Sequence, residues 1–298
     1  LHEANGSDLD LGDESTNAIC AAVQDAKQAV VDARHLGDAS AWWSSVFRSV
    51  AQRTGIDMSR QTVAVEVRPS LTIGGIATDE HGRAVNGAWS RWFTGLYAAG
   101  DAACTGSHGV NALPGNQLLD ALGSGAAAGD HAGTWVKDRK LSGSNIAQED
   151  EEQANADFSA LCEASSEAVI RVGSVATKLR DAARNALVGG RDATSLANSI
   201  ESLEALSVTA ESIHLDQHSL IANTNMIEIS RIQSGIRLTL AATQSALSRE
   251  ETRGSHQRTD FAEQSEDLLH HTTVDQTGAT STLGLRKGTA GNWVLAPQ

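Results

Sequence analysis

Apolar residues recur along this chain with two periods, and the change between them falls near its middle. Up to about residue 136 the runs are short. Ala18, Ile19, Ala22, Val23 and Ala26 recur at helical spacing after Ser15 and Thr16, either of which can cap, so residues 15–33 predict a helix passing into a short extended piece. Trp42, Trp43, Val46 and Phe47 mark a second amphipathic helix over 40–54. TVAVEV (62–67) is β-branched and alternating, which predicts a strand. LTIGGIATDEHGRAV (71–85) reads as two short strands around a turn at 79–82. Residues 96–99 predict a short buried strand ending at Gly100 and Asp101. A loop rich in Gly, Ser and Asn follows, and a small-residue helix runs from about Gln117 to near Val136.

Beyond that point the period becomes helical throughout. Residues 155–250 contain no proline. Val169, Val172, Val175, Leu179, Ala183 and Leu187 share one helical face, and Gly189 and Gly190 end it. Leu196, Ile200, Leu203 and Leu206 mark a second helix, and a third runs from about 225 to 247 with Ile227, Ile232, Ile236, Leu240, Ala242 and Leu247 inside. The pattern is that of a three-helix bundle. Residues 138–154, with the run QEDEEQ, read as an acidic linker. From residue 251 the tail reads as irregular, ending in a strand-like TAGNWVLA.

Composition narrows the function classes. The 298 residues are 40% hydrophobic, enough for one large or two ordinary domains with real cores. A net charge of -14 without a Lys/Arg cluster argues against a nucleic-acid partner. Cys20, Cys104 and Cys162 are far apart and odd in number, so neither a disulfide framework nor a metal spacing follows, and a reducing compartment is the default. No apolar run reaches the roughly 18 residues of a membrane span. The chain opens on Leu1 with a polar, acidic stretch, which reads as neither signal nor transit peptide and suits a fragment or a processed chain.

Two segments carry chemistry. GLYAAGD (95–101) is a strand ending in a Gly-Asp turn, a shape that presents a carboxylate to a hydroxyl-rich ligand; a plain helix cap is the simpler alternative. SHGVNALPGNQLLDAL (107–122) is a Gly-rich turn feeding a helix start, where free N–H groups and the positive end of the helix dipole favour negative charge. A tight loop before a packing helix would look similar.

Together these two segments resemble the flavoprotein subunits of the succinate dehydrogenase, fumarate reductase and L-aspartate oxidase family. Further segments match in the same order: VVDARHLG (30–37), GID (55–57), VRPSLTIGGIATDEHGRAV (67–85), SREETRGSHQRTD (248–260), and His271-Thr272. The resemblance implies an α+β fold. Residues 1–70 would end a capping domain, and 71–137 would supply the last strands and helix of a Rossmann-like FAD domain. After the linker at 138–154, residues 155–250 would form an all-α three-helix-bundle carboxy-terminal domain, and 251–298 the tail. The implied cofactor is FAD, held here by Gly100, Asp101, Asn116, Gln117 and Leu118, with His108 on the substrate. The implied reaction is hydride transfer between flavin and a dicarboxylate-like substrate. The implied partner is the iron–sulfur subunit of a membrane-bound respiratory complex, which would place the chain in the cytoplasm, peripheral on the inner face of the membrane. No catalytic residue or metal ligand is assigned, and the Arg249, Arg253, His256 and Arg258 cluster reads as structural, its arginines forked onto carboxylates such as Glu250, Glu251 and Asp260.

Three features depart from the family pattern. The GxGxxG turn that seats an FAD pyrophosphate is missing; GSGAAAG (123–129) falls inside the predicted helix. Ala112 stands where the family has a carboxylate-clamping arginine, and Ser70 where it has a histidine, counted back from Gly74 and Gly75. Asp101 replaces a glutamate, which keeps the acid. A change of substrate, or a truncated non-catalytic interaction module, therefore stands beside the dehydrogenase reading.

Overall fold

Residues 1–70 and 71–298 form two units in the computed structural model of the chain. The residues described are 2–3, 19–20, 22–23, 26, 28–67, 71–85, 92–109, 112–113, 115–137, 139–140, 145–163, 170–215, 219, 221–287 and 293–295.

In the first unit, β1 (His2–Glu3), β2 (Ala29–Val31) and β3 (Val63–Val65) form an antiparallel sheet with β2 in the middle. Ala29 and Val30 are buried there, as apolar residues of a central strand should be. Asp32 follows, and Arg34 Nε donates to its carboxylate at 2.9 Å, holding that carboxyl well below the usual range. Of the first predicted helix, Ile19, Cys20, Ala22 and Val23 are helical and the rest lies largely outside the described residues. The second predicted helix is split. A 3-10 turn (Gly37–Ala41) precedes α1 (Ser44–Thr54), which stops at Gly55 in the left-handed conformation. Only glycine adopts that without strain, and its N–H closes on Ala51 O at 2.9 Å.

In the second unit, β4 (Ile76–Ala77) and β5 (Arg83–Val85) flank the predicted turn but do not form a simple hairpin. β4 pairs parallel with β7 (Ala103–Cys104), and β5 pairs antiparallel with β6 (Trp92–Tyr97). The turn itself is as its residues dictate: Asp79 Oδ1 accepts the N–H groups of His81 and Arg83, and Gly82 takes a positive φ. A side chain on Gly82 would meet Ala128 at 2.7 Å, so this glycine also sets how closely the turn approaches the next helix. β6 is less buried than its apolar sequence suggests, with Phe93 and Leu96 exposed, while Ala98 just beyond it is buried. The small-residue helix is α2 (Asn116–Lys137), and GSGAAAG lies within it.

The acidic stretch that reads as a linker carries a helix, α3 (Asn145–Glu163). Its Glu, Gln and Ala residues are strong helix formers, and residues 148–157 are all exposed, so propensity rather than burial explains it. The bundle is α4 (Val172–Leu187), α5 (Ala193–Glu211) and α6 (Thr224–Ser248). Val175, Leu206, Ala210, Ile213, Leu215, Ile229, Ile232 and Ile236 make its core. Asp192 caps α5, accepting the Ser195 N–H at 2.7 Å while Ser195 Oγ receives the Asp192 N–H at 3.0 Å.

The tail is not irregular. β8 (His270–Val274) and β9 (Thr280–Lys287) form a hairpin, with β10 (Trp293–Leu295) on its outer edge. Thr and Val dominate β8, and Asp275 ties the turn by accepting the N–H groups of Thr277 and Ala279.

Candidate functional site

The two chemical segments meet where β6 gives way to α2. Residues Gly100–Ala102 form a 3-10 turn, and Gly100 sits there at φ 59. A side chain on Gly100 would come within 3.2 Å of Ala121, so the turn and α2 touch at backbone distance. The Gly100 N–H donates to Ser124 Oγ at 2.9 Å, and that hydroxyl donates back to the Asp120 carbonyl at 2.6 Å. Asp101 is the next residue and is exposed. On the other side, His108 Nε2 lies 3.4 Å from Asp120 Oδ2, and Ser107 Oγ donates to Asp120 Oδ1 at 3.3 Å. Asp120 thus ties the loop of residues 105–109 to α2, while the Ser124 hydroxyl bonded to its carbonyl ties the Gly100 turn to the same helix.

Of the predicted site residues, Gly100 and Asp101 lie in the turn, His108 in the loop, and Asn116, Gln117 and Leu118 at the start of α2. Asn116 opens α2, its N–H bonded to Leu113 O at 3.1 Å, and Gln117 is half-buried beside it. Leu118 presents its side chain outward, 69% exposed, together with Leu113, Leu119 and Leu122. Asp120 and Ser124 were not among the predicted site residues. Their signal was present: they stand four apart on a helix, the spacing at which a serine hydroxyl bonds the carbonyl one turn earlier. Ala112 is half-buried and carries no charge to offer an anion. Ser70, with Arg68 and Pro69, lies outside the described residues.

A second cluster lies on the far part of α2. Tyr97 Oη and His131 Nδ1 are 2.9 Å apart, His81 stacks on His131, and Trp92 and Trp135 meet edge to face. His81, Asp130, His131 and Thr134 line an open pocket of about 400 Å³. Among the described residues no group of three His, Cys, Asp or Glu side chains is placed to hold a metal ion.

The arginine-rich segment is a structural knot. Glu251 is fully buried and accepts Arg249 Nε at 2.8 Å, Arg253 Nε at 3.0 Å and the Ser265 N–H at 3.0 Å. Burial pushes its carboxyl up, and those bonds outweigh burial and leave it below the ordinary value. Arg258 forks onto Asp260 with two bonds of 2.7 Å and donates Nη1 to the carbonyls of Ala246, Leu247 and Arg249, closing the C-terminal end of α6. Arg249 also donates to the carbonyls of Leu268 and His270, which fastens the β8–β9 hairpin to the bundle.

The family model described as fumarate reductase flavoprotein C-term matches residues 176–294, and that of an FAD binding domain matches 58–118. A fumarate reductase flavoprotein subunit of Mycobacterium tuberculosis is 31% identical over 216 residues, covering 70% of this chain and 36% of that protein. The chain belongs to the succinate dehydrogenase/fumarate reductase flavoprotein family. An L-aspartate oxidase of Rhodospirillum rubrum is also similar, 35% identical over 111 residues, or 37% of this chain and 38% of the oxidase. A mutant of FrdA from E. coli quinol fumarate reductase shares the fold, with a TM-score of 0.80 at 19% identity over 100% of this chain and 55% of that one. The chain therefore spans little more than a third of the curated relatives it matches. The cofactor of this flavoprotein family is FAD. The residues present fit one end of that cofactor: an open helix start with exposed leucines, a left-handed turn at Gly100 where a side chain would press on Ala121, and an exposed acid at Asp101. They do not include a turn of the GxGxxG type.

Proposed function

We propose that this chain is the carboxy-terminal half of an FAD-dependent oxidoreductase that passes hydride between flavin and a small carboxylate substrate. The observation that carries the reading is the junction at Gly100, where the turn that carries the strand-end acid is held to α2 by the Gly100 N–H on the Ser124 hydroxyl. In this reading Asp101 accepts hydroxyls of FAD, and Asn116, Gln117 and Leu118 bring the positive end of α2 to the flavin ring, which favours the negative charge of its reduced form. FAD supplies the hydride chemistry when bound. His108, oriented by Asp120, donates to the substrate. Residues 1–70 end the capping domain and 71–137 complete the FAD domain. The partner is an iron–sulfur subunit of a respiratory complex, and the chain works in the cytoplasm on the inner face of the membrane. Among the described residues no helix is long and apolar enough to cross a membrane, in keeping with attachment through partners.

Ala112 favours a second reading, a paralogue acting on another substrate. A dicarboxylate dianion gains most from a guanidinium fork, and alanine provides none. The test is on the whole flavoprotein that contains this chain: record the flavin absorbance, then titrate succinate and fumarate. Bleaching by succinate, or reoxidation by fumarate, supports the dehydrogenase. A bound flavin indifferent to both supports the paralogue, and a protein without flavin points to a non-catalytic module. In the Ala112→Arg variant we expect dicarboxylate affinity to rise by about 10–100-fold, the worth of one charged hydrogen bond. No change would show that the position lies away from the substrate.

A further inference from the structure

His271 lies on β8 of the tail, apart from the residues assigned to flavin and substrate, yet one of its nitrogens reaches back to that region. Its Nδ1 is 3.9 Å from Cys104 Sγ, a contact between residues 167 positions apart. The strand is fixed at this point. Arg249 Nη1 donates to the His270 carbonyl at 2.9 Å and to Thr272 Oγ1 at 3.4 Å, so β8 is held on both sides of His271. Arg249 is itself held by the buried Glu251. On the other side, Cys104 ends β7, where its carbonyl takes the Thr78 N–H at 3.3 Å. Its sulfur accepts the Gly106 N–H. Gly106 makes the turn of the loop of residues 105–109, with φ 77 and its carbonyl receiving the Gly109 N–H at 3.2 Å. Within that loop Thr105 Oγ1 and Ser107 Oγ are 2.7 Å apart, and Ser107 and His108 both reach the Asp120 carboxylate. A chain of polar contacts thus runs from the buried centre of the arginine knot to His108.

Filling space does not account for an imidazole at position 271. Its Nε2 is buried with no hydrogen-bond partner. A buried polar atom left unpaired costs stability, and an apolar ring would fill the position without that cost. What an apolar ring lacks is an atom at Nδ1 to meet the thiol. Both partners are uncharged at neutral pH. Burial, Arg249 and His270 press the His271 pKa down, and burial pushes the Cys104 thiol up. Whether S–H donates to Nδ1 or Nδ1–H donates to the sulfur, the contact is directional and brings no charge into the interior. We propose that His271 is a positioning residue: through Cys104 Sγ it sets the loop of residues 105–109 and with it the place of His108. The tail hairpin then supports the substrate site as well as the bundle. This inference rests on the reading of His108 as the group that donates to the substrate.

The test uses the whole flavoprotein that contains this chain. His271→Phe keeps a ring and removes both nitrogens. His271→Asn keeps a polar atom where Nδ1 lies and removes the unpartnered Nε2. Cys104→Ala breaks the same contact from its other end, and serves if His271→Phe does not fold. Amide hydrogen exchange is followed in the loop and in the bundle. His271→Phe and Cys104→Ala should each speed exchange at residues 105–109 by about tenfold, the worth of one hydrogen bond, with the amides of α5 unchanged. His271→Asn should restore the wild-type rate, and the double variant should exchange no faster than either single one, since both substitutions break one contact. A loop that exchanges at the wild-type rate in both His271→Phe and Cys104→Ala, or a rise shared equally by loop and bundle, overturns the proposal. With succinate as reductant of the flavin, His271→Phe should raise KM by about 3–10-fold and leave kcat unchanged, because the loss is in binding. A loosened loop with an unaltered KM overturns the proposal as well. A wild-type flavin indifferent to succinate and fumarate counts against the reading of His108 instead, and the exchange rates then decide whether His271 sets the loop.

Discussion

Glu251 shows how much one buried carboxylate holds. It accepts two guanidinium groups and a backbone N–H, and those arginines reach on to the carbonyls of Leu268, His270 and Ser265. Removing its charge leaves two cations facing a neutral amide in the interior. Glu251→Gln should therefore lower the unfolding free energy by about 3–5 kcal/mol, read as a lower urea midpoint at unchanged slope. An unchanged midpoint would mean that solvent reaches the pair. The spacing of arginines and acids in SREETRGSHQRTD predicted such forks. Glu251 and Asp260 are acceptors as that spacing predicts, Glu250 is exposed and accepts from none of these arginines, and Arg258 serves the end of α6 as well. Which arginine takes which acid was not legible, because several chemically equal pairings fit one linear segment.

At the scale of elements, the bundle is where sequence and structure agree most closely. Leu196, Leu203 and Leu206 were expected on one face and are buried there, and Asp192 and Ser195 form the cap that starts their helix. A helix of period 3.6 has one way to bury such a stripe. Leu203 is 0% exposed, so Leu203→Ala should cost about 2–5 kcal/mol in thermal or urea unfolding, since it loses both transfer energy and close packing. A loss below about 1 kcal/mol would mean that the bundle collapses around the gap. The strands were harder to place. β4 and β5 are two and three residues long, and a short apolar run does not say whether its partner lies next door or across the sheet. Here β4 takes β7 in parallel and β5 takes β6. The acidic helix α3 and the hairpin β8–β9 were not legible because their polar stretches lack an apolar period, although Glu, Gln and Ala favour a helix and Thr and Val a strand.

At the scale of the whole molecule, acid should weaken the fold in two stages. Burial lowers the pKa of His256 and of His271 below the ordinary 6.5, so the folded chain holds fewer protons than the unfolded chain at mildly acid pH. Their contribution is present above 6.5 and is lost as pH falls from there toward their depressed folded values. The carboxylates Glu251, Asp260 and Asp32, also depressed, keep their contribution until pH falls below the ordinary carboxylate range. Urea midpoints taken from pH 7.5 to 5 should fall in the wild type, and less so in a His256→Gln, His271→Gln double variant. Equal slopes in the two proteins would remove the histidines as the cause. For the site, the junction of Gly100 with α2 was legible in outline because the family's segments stand in order, while its two fastening residues, Asp120 and Ser124, needed coordinates.

The sequence by itself determined the helical half, the turn at Asp79, the family to which the chain belongs, and the absence of a guanidinium at Ala112. Each of these is local: a period, a cap, a turn residue or a side chain is decided by neighbours a few positions away. The tertiary structure alone decided which strands pair, how the tail folds onto the bundle, and that Asp120 and Ser124 fasten the loop and turn to α2. Those outcomes depend on groups brought together from distant parts of the chain, and their energies exist only once the intervening chain has closed.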